Sequence, residues 1–143
     1  MHLARRILRV AAIACFTVIG LLVVLLPIAA WFRSEGRFTG QTFTPEAWAQ
    51  AGSCVRHMDS KCEPCLRGPM LRSLTHNHLV VGKLQRSETV ALLGTDFSER
   101  KRGGQSCIVY TLGACSGYGI DYDHLELCFG ESGLLTSSRR YSS

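Results

Sequence analysis

Between Val10 and Phe32 the chain runs for 23 residues without one charged side chain. A helix rises about 1.5 Å per residue, so this stretch would reach about 34 Å, enough to cross a hydrocarbon core of about 30 Å. The sequence therefore predicts a transmembrane helix over 10–32, serving as a signal anchor. Arg5, Arg6 and Arg9 precede it, and Arg33 and Arg37 follow with Glu35 between them. The positive-inside rule then leaves residues 1–9 in the cytoplasm and carries the remainder across. Trp31 stands where an interfacial aromatic would, and Pro27 is tolerated near the end of a spanning helix. A secretory h-region usually covers about 7 to 15 residues, so this run is long for a cleaved signal, although Ile28-Ala29-Ala30 is a small-residue cleavage site. Ala12-Ile13-Ala14-Cys15 fits a lipobox poorly, because its apolar lead-in is short and mostly apolar residues follow the cysteine. The expected placement is a single-pass inner-membrane protein, held in the lipid bilayer by its N-terminal helix, with its C-terminal domain in the periplasm.

The chain has 143 residues, and subtracting the apolar stretch leaves roughly a hundred to fold, enough for one small domain. Its formal charge of +5 is concentrated at the start. Beyond the first three arginines, thirteen Lys and Arg stand against all eleven Asp and Glu, a near-neutral balance. Nucleic-acid binding calls for a basic face interleaved with aromatics or a recognition helix. Only Arg100-Lys101-Arg102 and Arg139-Arg140 form short basic runs, read as solvated loop and strand-end charges. No nucleic-acid partner and no small-molecule substrate are expected.

Six of the seven cysteines follow the apolar stretch: Cys54, Cys62, Cys65, Cys107, Cys115 and Cys128. An even number fits three disulfides, each contributing on the order of 2 to 4 kcal/mol to a small domain in an oxidising compartment. One pairing follows from strand geometry. If 107–112 and 124–129 are antiparallel, with Ile108 opposite Leu127 and Tyr110 opposite Leu125, one face is continuously apolar. The same register sets Cys107 opposite Cys128, close enough to bridge. Cys115 would then bind Cys54, Cys62 or Cys65, a choice the spacing leaves open.

Cys62-Glu63-Pro64-Cys65 permits a sharper reading, since in a C-x-x-C one thiolate attacks and the other resolves the mixed disulfide. The strand that would precede such a redox motif is missing, so structural bridging is preferred. A zinc site from Cys62, Cys65 and two of His57, His76 and His78 competes with oxidation of the same thiols.

Residues 33–43 read as a polar leash, and 44–143 as the α+β domain. Thr44-Pro45-Glu46 supplies an N-cap, a proline at the first helical position and a first-turn acid, so a short helix through Trp48 and Gln50 follows. Residues 52–68 read as a disulfide-tethered loop. Pro69 opens a helix that buries Met70, Leu71, Leu74 and His78. After a turn at Gly82, another helix runs from Arg86 to Leu93, with Val90, Leu92 and Leu93 inward and Gly94 ending it; Gln85 and Ser87 are both candidate N-caps. Residues 95–105, charged and glycine-rich, read as a loop. Two strands then follow, a turn at Glu131-Ser132-Gly133, and a third strand over 134–141. The predicted fold is a helix-helix-three-stranded antiparallel sheet, with the helices on one face.

Met70-Leu71-Arg72-Ser73-Leu74, His78-Leu79, the run Leu84 to Gly94 (LQRSETVALLG), Tyr110-Thr111-Leu112-Gly113, Leu125-Glu126-Leu127-Cys128-Phe129 and Gly133 together resemble the SmpA/OmlA-type (BamE-like) small envelope proteins. That family shares its fold with β-lactamase inhibitor proteins. The resemblance covers residues 69–141. The chain has Leu84 and Gln85 where the family tends to have Met and Thr, and it adds six cysteines. What the resemblance implies is a helix-helix-sheet fold and a habit of binding or bracing other envelope proteins, with no active site.

Catalytic constellations are weak. His76 and His78 with Ser73 or Ser87 lack an orienting carboxylate at an informative spacing. Asp121, Asp123 and His124 read as a loop that bonds its own backbone. Gly113, Gly117 and Gly119 lack the strand-to-helix setting of a phosphate cradle. The expectation is a non-enzymatic, cofactor-free, metal-free interaction or scaffolding module whose partner is another envelope protein. A membrane-tethered thiol-disulfide oxidoreductase and a periplasmic inhibitor or immunity protein are the alternatives.

Overall fold

The computed structural model describes residues 15–29, 36–57, 65–116 and 121–143. Residues up to Arg33 and residues from Ser34 onward form two separate units. In the first, residues 15–29 are helical (α1), a length of about 22 Å at the helical rise. Among the described residues no helix is long and apolar enough to cross a membrane. This corrects the transmembrane signal anchor over 10–32, the bilayer as a partner and the inner-membrane placement built on it. The described part of that run, residues 15–29, falls short of the roughly 30 Å that a span needs. Residues 10–14 and 30–32, needed for a full span, lie outside the described residues.

The second unit is an α+β domain. Helix α2 spans Pro45–His57 and starts where the capping signal placed it, with the Thr44 hydroxyl accepting a hydrogen bond from the Ala47 N–H at 3.2 Å. It outruns the expected short helix by two turns, because burial of Trp48 and Ala51 and the close approach of Gly52 to Arg67 hold it against the core despite the low propensity of Gly52. A 3₁₀ turn, Gly68–Met70, leads into α3, Leu71–Asn77. Helix α4, Arg86–Leu93, is capped by Gln85, whose backbone N–H donates to the Glu88 carboxylate at 2.8 Å, and it ends at Gly94 with φ +78°.

The sheet has four strands, not the three expected: β1 (Ser98–Arg102), β2 (Gln105–Gly113), β3 (Asp123–Phe129) and β4 (Leu135–Ser142), antiparallel in the order β1-β2-β3-β4. The added strand lies in the segment 95–105 expected to be a loop. Gly103 and Gly104, both at positive φ, make a two-residue turn that folds Ser98–Arg102 back onto β2, as primed hairpin turns require. Strands β2 and β3 pair Ile108 with Leu127 and Tyr110 with Leu125.

The inner face of the sheet carries Ile108, Tyr110, Leu112, Leu125, Leu127, Phe129 and Leu135 into one core with Trp48 of α2, Leu74 of α3 and Leu93 of α4. Each such side chain, fully buried, contributes about 1.5–3 kcal/mol by leaving water. His78, expected inside, is exposed, and Leu79 takes the buried place. The segment expected as a leash also belongs in part to this unit, since Phe38 and Phe43 are buried in its core. The Arg140 guanidinium lies 3.8 Å from the Phe38 ring centre.

Arg67 carries a charge into the space between the helices and the sheet. Arg67 is 1% exposed and donates to the Trp48 carbonyl, the Thr111 carbonyl and the Asp96 carboxylate, each at 3.2 Å. Its guanidinium also stacks 4.7 Å from the Trp48 ring centre. It joins α2, β2 and the loop after α4, and satisfying these acceptors is what makes its burial tolerable.

Candidate functional site

Alternation along the strands sends one set of side chains to the outer face, away from the helices. Val109 pairs with Glu126 and Glu126 with Arg139; Cys107 pairs with Arg100 and with Cys128; His124 pairs with Tyr141. The two basic runs, far apart in sequence, therefore meet on one surface. Arg102 and Arg139 each donate to Glu126 Oε2 at 3.1 Å. Their side chains are 50% and 45% exposed while Glu126 is 1% exposed, so the acid is sunk beneath two solvent-facing guanidinium groups.

Tyr141 extends the surface. Its ring centre lies 5.3 Å from the Arg139 guanidinium and 6.0 Å from that of Arg100, and it stacks on His124 at 5.1 Å. His124 also bonds Ser143 Oγ at 3.0 Å. Burial lowers the His124 pKa, with the negative charge of Asp123 opposing that shift, so its ring leans toward the neutral form. The result is a group of arginines beside the Tyr141 and His124 rings, two of them, Arg102 and Arg139, held by one buried carboxylate. It can bind anionic groups through charge-assisted hydrogen bonds and planar stacking.

The residues singled out from sequence fall elsewhere or serve the fold. Cys107 and Cys128 are bridged, with Cα atoms 4.0 Å apart. Cys65 is bridged to Cys115, fifty residues away, so its sulfur is not part of a C-x-x-C disulfide. Cys54 is also disulfide-bonded; Cys62 lies outside the described residues, and so does the side chain of His57. Cys15 is free and exposed. Ser73 and His76 both line an open polar cleft of about 400 Å³ with Thr42, Arg72 and Asn77. There Ser73 Oγ accepts from the Phe43 N–H at 3.1 Å, and His76 Nδ1 meets Asn77 Oδ1 at 2.9 Å. Asp123, 1% exposed, accepts from the N–H groups of Cys115 and Ser116 at 3.1 and 2.6 Å and from the Ser142 hydroxyl at 2.6 Å.

Tyr110 is buried in the core, where its hydroxyl donates to the Gly94 carbonyl at 2.8 Å. Burial pushes its pKa well above the usual phenol range against the opposing charge of Arg67. It is a structural hydroxyl rather than a reactive one.

The outer arginine face escaped the sequence reading because its two halves lie on strands at opposite edges of the sheet. The signal that would have exposed it was the Gly103-Gly104 turn. Once Ser98–Arg102 is a strand, Arg100 and Arg102 must share a face. Set against family models, curated proteins and solved structures, the chain matches none of them, so the chemistry of this surface carries the functional reading.

Proposed function

We propose that this domain is a non-enzymatic protein-interaction module that engages an acidic segment of a partner protein through the outer face of its sheet. One observation carries the reading: Arg100 and Arg139 flank the Tyr141 ring, which stacks on His124, and Arg102 shares the Glu126 carboxylate with Arg139 on the same face of the sheet. Arg and Tyr are the side chains that dominate binding energy at protein interfaces. Here Arg102 and Arg139 are already oriented by Glu126, so little side-chain freedom remains to be lost on association. The resemblance of residues 69–141 to SmpA/OmlA-type proteins supports the same reading, because such proteins bind other envelope proteins. The disulfides favour a compartment that keeps thiols oxidised.

Site-specific crosslinking in cells from position 98, on the same face of β1 as Arg100, tests this. A discrete protein should be captured by the native chain and lost from the Arg100→Glu, Tyr141→Ala double variant, while Lys83→Glu, on a remote turn, retains it. Its affinity should fall as salt rises, as expected for exposed charges. Equal capture by both variants, or a short DNA duplex competing as well as the partner's acidic segment, would overturn the proposal.

A further inference from the structure

Beneath the arginines lies a second feature that interaction does not require. Cys107, Glu126 and Cys128 are all buried, and each offers one ligand atom within 4.8 Å of the others. Both arginine bonds go to Glu126 Oε2. Oε1 is buried and has no hydrogen-bond partner among the described residues. A buried carboxylate oxygen is costly to leave unsatisfied, and this one belongs to a carboxylate set beside two sulfurs.

We propose that, when the Cys107–Cys128 disulfide is reduced, these three residues form a site for a thiophilic divalent cation, with zinc the best match to its donors. Two thiolates and one carboxylate are ligands zinc accepts, and a water completes four-coordination. The redox step balances with a dithiol reductant. Its thiolate attacks one sulfur, the Cys107–Cys128 bond breaks, two electrons and two protons end on the two cysteines, and the reductant leaves as its own disulfide. The cation then displaces the two thiol protons to solvent, forming two metal–sulfur bonds and one metal–oxygen bond. Exchanging two protons for one divalent ion leaves the net charge of the buried cluster unchanged. Arg102 and Arg139 stay as the outer partners of the carboxylate and fix its orientation, as outer-shell groups do in metal sites. The pair is thus either a covalent staple or a metal clip at the same point between β2 and β3.

The test uses the full chain reduced with a phosphine, which does not itself supply a thiol ligand, and titrated anaerobically with cobalt(II). The expected result is one equivalent bound, with a sulfur-to-cobalt charge-transfer band and four-coordinate visible bands, both bleached by zinc. Cys107→Ser, Cys128→Ser should abolish the band. Cys65→Ser, Cys115→Ser should keep it. Glu126→Gln should keep the sulfur band but weaken binding at least about tenfold, the lower end of what even outer-shell losses cost. Persistence of the band in Cys107→Ser, Cys128→Ser would assign the metal to the other cysteines and overturn the proposal. Unchanged affinity in Glu126→Gln, or a reduced chain that loses its sheet by circular dichroism with and without cobalt, would do the same.

Discussion

A Cβ atom on Gly52 would overlap the guanidinium of Arg67, lying 2.7 Å from its Cζ and 2.9 Å from Asp96 Oδ2. Gly52 therefore provides the space in which the buried arginine is held. Helix propensity alone favours Gly52→Ala by about 1 kcal/mol. Because Arg67 is fixed by the carbonyls of Trp48 and Thr111, it cannot retreat without breaking those bonds, and overpacking of about 1–3 kcal/mol wins. Urea unfolding should show Gly52→Ala less stable than the native chain. In an Arg67→Met background, itself destabilised by the two abandoned carbonyls, the same substitution should cost less or become favourable. Additive effects would mean the two positions are not coupled.

The two fully described disulfides close loops of different span, 21 residues for Cys107–Cys128 and 50 for Cys65–Cys115. Loop-closure entropy gives about 3 kcal/mol for the first and about 4 kcal/mol for the second. Paired serine variants, compared by denaturant midpoint with the remaining bridges intact, should rank in that order. A larger loss from Cys107→Ser, Cys128→Ser would mean that packing within the sheet, rather than chain entropy, sets the contribution of that bridge.

Gly68 packs against the Cys65–Cys115 bridge, and a methyl group there would overlap both sulfurs and approach the Arg37 carbonyl to 3.2 Å. Gly68→Ala should leave Cys65 and Cys115 partly reduced after oxidative refolding, detected by alkylation and peptide mass mapping. Complete bridging at native rate would contradict this close approach.

His124 has its pKa lowered from 6.5, first by burial. A histidine whose folded pKa is depressed adds stability that is fully present above its unfolded pKa and is lost as pH falls through the folded value. Between about pH 8 and about pH 5 the native chain should lose more stability than His124→Asn. Parallel losses in the two proteins would show that His124 is not the linked group.

Asp123 organises the turn after β2 by accepting two backbone N–H bonds and one hydroxyl. Asp123→Ala strands those donors, so the domain should lose about 2–4 kcal/mol. Amide exchange should rise most at Cys115 and Ser116. A uniform rise across the sheet would instead indicate global weakening.

Much of the domain could be read before its structure was known, and the reasons are local. Thr44-Pro45-Glu46 marks a helix start because it supplies the cap and the first-turn charge. The apolar alternation of 107–112 and 124–129 fixes a register because a slip by one residue would turn Ile108, Tyr110, Leu125 and Leu127 away from the helices. Strand β1 was illegible for the opposite reason: all five of its residues are exposed and none is apolar, so only the glycine pair beyond it carries a signal. Arg67 gives no hint of burial, since what permits it is an assembly of carbonyls from distant segments. The uncharged run at 10–32 predicts a span, yet among the described residues, 15–29 of that run, no helix is long and apolar enough to cross a membrane.

The strand Ser98–Arg102 closes one side of the sheet with serine, glutamate, arginine, lysine and arginine. It is an edge strand of the sheet, and a second copy aligned parallel and in register would set each of its charges against its like. This border should keep concentrated preparations from stacking into fibrils along that side, and neutralising Arg100, Lys101 and Arg102 together would remove the safeguard.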